Sequence, residues 1–339
     1  MSPIVVAAGV AAVGALVRRR RRELRGRVVV ITGGSRGLGF ILAREFARHG
    51  ARLALCARTA PDLARAAEAL APAEVLTRPC DVGDPQQVRD FLADVLEHYG
   101  QIDVLVNNAG VIEVGPLEAM SADSFRRAHD VMFWGMLHAT LAVLPHMRAR
   151  RQGSIVNVTS IGGKVSIPHL LPYCTAKFAA VGLSEGLRTE LARDGVDVLT
   201  VVPGLMRTGL HLNAEFVGRQ KAEFRLFALG ASAPLVSMDA ERAARQIVAA
   251  VGRGEAERIL SLPAQLLARV HGLAPALTGE ALTLVNRLLP GAGASRMPTR
   301  GRDIQARARL PILRALTGLG LAAARRFQHG NGSRLAGAR

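Results

Sequence analysis

The sequence predicts an α/β fold: a doubly wound parallel sheet, preceded by an apolar N-terminal helix and followed by a helical C-terminal extension. Three observations predict it. Short β-branched runs alternate with Ala-, Leu- and Arg-rich stretches of helical spacing, the first run passes straight through a glycine-rich turn into a helix, and no fixed-period repeat interrupts the series. With 339 residues, 49% hydrophobic and 21% charged, the chain can bury a sizeable core and is too long for one minimal domain. Disorder is excluded on the same grounds.

Taken in order, residues 3–17 (PIVVAAGVAAVGALV) are uncharged and run directly into Arg18–Arg22. A transmembrane helix needs about 20 apolar residues, about 17 at the least, so this segment reads as a membrane anchor whose arginines snorkel to the interface. Charge that follows the apolar run argues against a cleaved signal peptide and puts the catalytic domain on the cytoplasmic side of the membrane. A surface helix on a soluble cytoplasmic protein is the plain alternative.

The strand runs follow: VVVIT at 28–32, RLALCA at 52–57, VLTRPCDV at 75–82, IDVLVNNAG at 102–110, SIVNVTS at 154–160 and VDVLTVVPG at 196–204. Right-handed crossovers through the helical stretches between them make the sheet doubly wound, with ligands at the carboxyl ends of the strands. Beyond about residue 255 the composition turns to Leu, Ala and Pro. Residues 258–291 have helical spacing, 291–303 read as a linker, and 304–327 as a basic amphipathic helix interrupted near Pro311. Neither helix is needed to complete the sheet; capping a substrate pocket, pairing with a second subunit in a homo-oligomer, and lying on a bilayer are all open to them. The expected organisation is an anchor over 1–25, a catalytic domain over 26–260 and an extension over 261–339.

A formal charge of +17 would suggest nucleic acid if it were evenly spread. Residues 1–27 contribute +6 and residues 296–339 contribute +9, which leaves +2 for everything between. A near-neutral body between basic ends with apolar neighbours argues against a nucleic-acid partner and fits an anionic membrane surface. Cys56, Cys80 and Cys174 are scattered, without paired ligand spacing, so reduced thiols and no metal site are expected.

The turn after the first strand, Thr32-Gly33-Gly34-Ser35-Arg36-Gly37-Leu38-Gly39, carries the first chemistry. Glycines let the turn tighten and the backbone approach a pyrophosphate, while the following helix presents free N–H groups and its positive dipole end. In this strand–turn–helix context Gly33, Ser35, Arg36, Gly37, Leu38 and Gly39 predict dinucleotide binding, although the spacing is not literally G-x-G-x-x-G. An NAD enzyme usually ends its second strand with an acid for the ribose hydroxyls. Here that place reads Ala57-Arg58-Thr59, and Asp62, behind Pro61, falls in the next helix. Arg36 and Arg58 offer two cations for a 2′-phosphate, so NADP(H) is expected over NAD.

Tyr173 and Lys177 are four apart and so project from one helix face. The pair is conspicuous because the chain has only two tyrosines, and only three lysines against 41 arginines. A phenol with a pKa of about 10 is a poor base at neutral pH, and a neighbouring ammonium lowers that value by favouring phenolate. Ser160, at the carboxyl end of its strand, is placed to hydrogen-bond a substrate oxygen as charge develops on it.

These pieces resemble the short-chain dehydrogenase/reductase family over about residues 26–260. The matching residues are the glycine turn at 32–39, Asp81-Val82, Asn107-Asn108-Ala109-Gly110, Ser160, Tyr173-Cys174-Thr175-Ala176-Lys177, and Pro203-Gly204 followed by Thr208, in the family's order and spacing. The resemblance implies a Rossmann fold and an oxidoreductase with Ser160, Tyr173 and Lys177 catalytic. It also implies that Asp81 and Val82 border the adenine, that Asn107, Ala109, Gly110, Tyr173 and Lys177 line the cofactor, and that Pro203, Gly204 and Thr208 hold its nicotinamide end. One departure matters. Where the family carries an Asn three positions before a Gly on the long helix, the segment from His129 to Gly135 carries Met132. A thioether donates no hydrogen bond and accepts only weakly, so it cannot replace an amide that holds a proton-relay water. His129 and Asp130 read as ordinary helix residues. A cofactor-binding scaffold or weakly active protein is therefore the alternative to an enzyme with a rearranged water path.

Two segments after strand ends, 161–173 and 209–230, are rich in Ile, Leu, Val and Phe and are expected to wall the substrate pocket. They predict a hydrophobic ketone, aldehyde or alcohol of lipid-, sterol- or retinoid-like kind.

Overall fold

The computed structural model describes residues 23–233, 236–293, 295–307 and 318–327. The expected N-terminal anchor lies outside them, as does the stretch around Pro311. Among the described residues no helix is long and apolar enough to cross a membrane.

Six strands fall on the six runs: β1 (Val28–Thr32), β2 (Arg52–Ala57), β3 (Val75–Pro79), β4 (Val104–Asn107), β6 (Gly153–Val158) and β7 (Val196–Pro203). A short strand, β5 (Glu113–Val114), lies outside their sheet, with β8 (Met206–Arg207), β9 (Glu215–Gly218) and β10 (Met238–Asp239). The main sheet is closed at one edge by β11 (Glu257–Leu260), in the order β11–β7–β6–β4–β1–β2–β3, and every pairing is parallel. Helices α1 (Gly37–Arg48), α2 (Ala60–Leu70) and α8 (Ala240–Arg253) cover one face. Helices α3 (Pro85–Tyr99), α5 (Gly135–Ala149) and α6 (Leu171–Leu191) cover the other. Strand β1 shows why the runs are continuously apolar: Val29 and Ile31 enter one core, Val28 and Val30 the other. Two further helices, α4 (Ala122–His129) and α7 (Gln220–Ser232), border the carboxyl ends of the strands.

The C-terminal region departs from its expected form in two places. Residues 258–260, read as the start of a helix, belong to β11. Gly254 in the left-handed region ends α8, and the chain then pairs with β7, a long-range partner that four residues of periodicity do not reveal. The expected linker contains β12 (Ser295–Arg300), antiparallel to β9, which pairs with β5 in a second, three-stranded sheet. Between these strands lie α9 (Leu262–Leu273) and α10 (Pro275–Arg287); α11 (Gly301–Arg307) and α12 (Gly318–Arg326) come last. From Gly301 onward the described part of the extension is packed down tightly. Gly301 donates its N–H to the Ala214 carbonyl at 2.9 Å, and a Cβ on Gly301 would fall 1.9 Å from the His211 carbonyl oxygen.

Candidate active site

The glycine turn leaves β1 and enters α1 under tight steric constraint. Gly33 has φ +65°, and a Cβ there would lie 2.9 Å from the Ala109 Cα; a Cβ on Gly39 would lie 2.2 Å from the Gly33 carbonyl oxygen. Two residues outside the expected contact set hold this geometry. The Asn108 amide donates to the Thr32 and Gly33 carbonyls at 3.0 and 3.2 Å, and the Thr32 hydroxyl oxygen accepts from the Asn108 and Ala109 N–H groups at 3.0 and 3.2 Å. Asn107, by contrast, turns its side chain inward. Its amide donates to Asn157 at 2.9 Å and Thr140 at 3.3 Å; Asn157 donates to Ser184, which meets Thr200 at 2.7 Å. Asn107 thus ties β4 to β6 and offers the site only its backbone. Adjacent asparagines on one strand end face opposite ways, and the sequence alone does not say which faces the turn.

Around the turn the charges are mostly positive. The Arg36 guanidinium reaches Asp62, in the first turn of α2, at 3.1 Å. Burial lowers the Arg36 pKa, Asp62 opposes that, and Arg302, Arg58 and Arg300 lower it further by repulsion. Arg36 and Arg58 therefore share one electrostatic site, joined by two arginines from the extension. Asp81 accepts from the Gly83 N–H at 3.0 Å, and Val82 packs where a Cβ on Gly135 would come within 2.6 Å of its side chain. The opening glycine cradle, the α1 N-terminus and this concentration of cations fit the phosphates of a dinucleotide. One contact competes with that fit: the Gly37 N–H, at the start of α1, donates to the Phe327 carbonyl at 2.9 Å, just past the end of α12. Ser35 is buried beside it.

Across the strand ends, Ser160, Tyr173 and Lys177 come together. Ser160 follows β6 and accepts from the Gly162 N–H at 3.0 Å, while hydrogen-bonding the Tyr173 hydroxyl. Tyr173 is in the first turn of α6. One turn on, the Lys177 ammonium donates to the Val158 carbonyl at 2.8 Å and lies 5.8 Å from the Tyr173 ring centroid. The expected lowering of the Tyr173 pKa is not what this geometry gives. Burial pushes it up to about 12, with the Ser160 hydrogen bond pulling the other way, and burial pushes Lys177 down to about 8. Phenolate and ammonium both lose hydration here, so burial works against both charged forms. A neutral phenol beside a hydroxyl is a proton donor across the neutral range.

Met132 sits where the sequence placed it, in a π-helical turn (Asp130–Trp134) between α4 and α5. Its side chain is buried with Ala128 and Ala176 against Val111 and Tyr173, and a Cβ on Gly110 would lie 3.6 Å from its sulfur. The place is apolar. His129 hydrogen-bonds the Phe125 carbonyl within its own helix.

At the next strand end, β7 stops at Pro203. A Cβ on Gly204 would meet Ser261 Oγ at 2.8 Å and Ala264 at 3.1 Å, which puts the start of α9 against this strand end. Thr208 is buried, and a Cβ on Gly209 would fall 2.4 Å from the Ala324 Cα of α12. The expected pocket walls are only partly open. Phe216 and Phe224 are buried together in a separate core with Val114 and Ile304. His169 and Glu223 join the two segments at 2.8 Å. Leu226 of the second segment is exposed, as are Leu205, just past β7, and Val236.

Comparison with known proteins agrees with this arrangement. The profile of the short chain dehydrogenase family matches residues 27–215. Dehydrogenase/reductase SDR family member 7B of Bos taurus is 35% identical over 270 residues, covering 76% of this chain and 81% of that protein. A short-chain dehydrogenase from Streptomyces avermitilis superposes with a TM-score of 0.68 at 30% identity, over 77% of this chain and 98% of its own. A short chain dehydrogenase/reductase from Burkholderia phymatum, solved in complex with NAD, gives 0.70 at 27% identity, over 76% and 96%.

Proposed function

The chain belongs to the short-chain dehydrogenase/reductase family, oxidoreductases acting on CH–OH and C=O groups, and on that premise we propose that it transfers hydride between NADP(H) and a hydrophobic ketone, aldehyde or alcohol. The observation that carries this reading is the convergence of Ser160, Tyr173 and Lys177 beside a glycine cradle ringed by arginines.

Bound cofactor supplies the hydride. The rest is done by the chain. The α1 N-terminus holds the pyrophosphate, and Arg36 and Arg58 hold the 2′-phosphate. Asp81, Val82, Ala109, Gly110 and the backbone at Asn107 border the cofactor, and Pro203, Gly204 and Thr208 hold its nicotinamide end. The Ser160 hydroxyl donates to the substrate carbonyl oxygen, and the Tyr173 hydroxyl gives that oxygen its proton as it becomes an alkoxide. A phenol held at about 12 keeps its proton at neutral pH, which suits reduction. Lys177, fixed by the Val158 carbonyl, positions the Tyr173 side of the site. Exposed Leu205, Leu226 and Val236 support an apolar substrate. The apolar run at 3–17 with Arg18–Arg22 supports a membrane location.

Met132 favours a second reading, a cofactor-binding scaffold, because a buried thioether stands where an amide would hold the relay water. Following NADPH absorbance with a panel of long-chain and polycyclic ketones and aldehydes separates the two. Turnover is expected, with a loss of about a hundredfold or more in Tyr173→Phe. NADPH binding without turnover would favour the scaffold, and full activity in Tyr173→Phe would sink the mechanism.

A further inference from the structure

Helices α9 and α10 form a hairpin that leaves its apolar residues in solvent. On α9, Leu262, Leu266, Val270 and Leu273 recur at helical spacing along one face, and Leu262 and Leu273 are 79% and 88% exposed. On α10, Leu277 and Leu284 lie seven residues apart, and Leu288, four further on, is 80% exposed just past the helix end. Only Ala264 is buried on α9, and only Thr278 on α10. Soluble surfaces rarely leave so many large side chains open together, and such patches mark interaction sites.

Charge selects the occupant. The hairpin carries exposed Arg269 and Arg287 against a single acid, Glu280. A second copy of the same face would bring arginine against arginine with one acid from each copy to pair them, whereas anionic lipid headgroups pair both arginines. At 12 and 13 residues the helices are too short to span a bilayer, which takes about 20, so they can only lie in its interface.

We propose that the α9–α10 hairpin docks on an anionic lipid bilayer, its leucine faces seated among the acyl chains and its arginines among the headgroups. Ser261 and Ala264, at the start of α9, abut Gly204 at the end of β7. Docking therefore sets the candidate active site beside the membrane; that consequence rests on the proposed function, while the docking does not. The apolar run at 3–17 with Arg18–Arg22 is proposed above as a separate membrane element, so the test must be local to the hairpin.

Hydrogen–deuterium exchange of the full chain is compared with and without vesicles of phosphatidylcholine and phosphatidylserine at three to one. Protection of residues 262–288 by these vesicles, and much less by phosphatidylcholine alone, is expected. Leu266→Glu/Leu273→Glu/Leu284→Glu, all at exposed positions, should abolish that protection and weaken vesicle binding at least about tenfold. Vesicle binding with unchanged exchange in 262–288 would overturn the proposal, since another segment then carries the attachment. Protection that needs no vesicles and grows with protein concentration would overturn it too, in favour of self-association. NADPH turnover of a water-soluble ketone should be unaltered in the triple variant. Hairpin protection in a protein that reduces no carbonyl would uphold docking and reject the proposed function.

Discussion

Helix α1 and helix α9 are both twelve residues long; α1 buries nine of them against the sheet, and α9 buries one. Their sequences look alike in kind, with Leu, Ala and Arg at helical spacing. The difference lies in what surrounds them. Helix α1 is framed by a parallel strand, by α8 and by the extension, whereas α9 leans mainly on β11 and its hairpin partner and touches the end of β7 only at its start. Amphipathic spacing announces a helix and a face to be covered; it does not say whether protein or another phase covers it. The same contrast runs through the charges, balanced in the body of the sheet and basic in the extension.

The sharpest way to probe this contrast is at the place where the two regions share arginines. Arg36→Gln/Arg58→Gln should weaken NADPH by about a hundredfold to ten-thousandfold, since two charge-assisted contacts of roughly 1.5–3 kcal/mol each are lost together. NADH binding should barely change in a fluorescence titration. Equal losses for both cofactors would show that these cations do not read the 2′-phosphate.

A smaller effect is expected from the extension itself. The Phe327 carbonyl takes the Gly37 N–H that a pyrophosphate would use. Truncation after Thr317 should therefore tighten NADPH binding about fivefold, roughly the worth of one hydrogen bond, while lowering Tm by a few degrees. Gly320→Val is the full-length counterpart, because its Cβ would fall 2.5 Å from Ser232 Oγ and 3.0 Å from the His211 ring. Unchanged affinity in both variants would mean that α12 and the cofactor do not compete.

The smallest effect is a pH dependence confined to the extension. His211 lies under Gly301 and Gly320, and burial pushes its pKa down to about 4. A base whose pKa is depressed on folding stabilises the native state fully above its unfolded value of about 6.5, and that contribution is lost as pH falls through 4. Hydrogen exchange in residues 295–327 should accelerate between pH 6.5 and 4.5 more than in β1 or β7, and His211→Gln should flatten the difference. Uniform acceleration across the chain would contradict it.

Much of the fold was legible. Strands β1, β6 and β7 announce themselves because a strand buried on both faces must be apolar throughout, and turn residues bound each run. Tyr173 and Lys177 were legible because four-residue spacing fixes a shared helix face and because lysine and tyrosine are rare in this chain. Strand β11 was not, since four residues carry no period of their own and its identity comes from pairing with β7. Phe216 and Phe224 read as pocket walls because nothing local distinguishes an aromatic that lines a cavity from one that fills a core.

What the sequence determined alone is what local geometry dictates: the order of strands and helices, the glycines that a crowded turn requires, and the alignment of Tyr173 with Lys177. Tertiary structure decided which of Asn107 and Asn108 clamps the turn, that burial raises the Tyr173 pKa where a neighbouring ammonium would lower it, and that Phe327 meets Gly37 from the far end of the chain. Periodicity and steric preference act over a few residues, whereas desolvation and hydrogen-bond partnership depend on every segment that packs around a group.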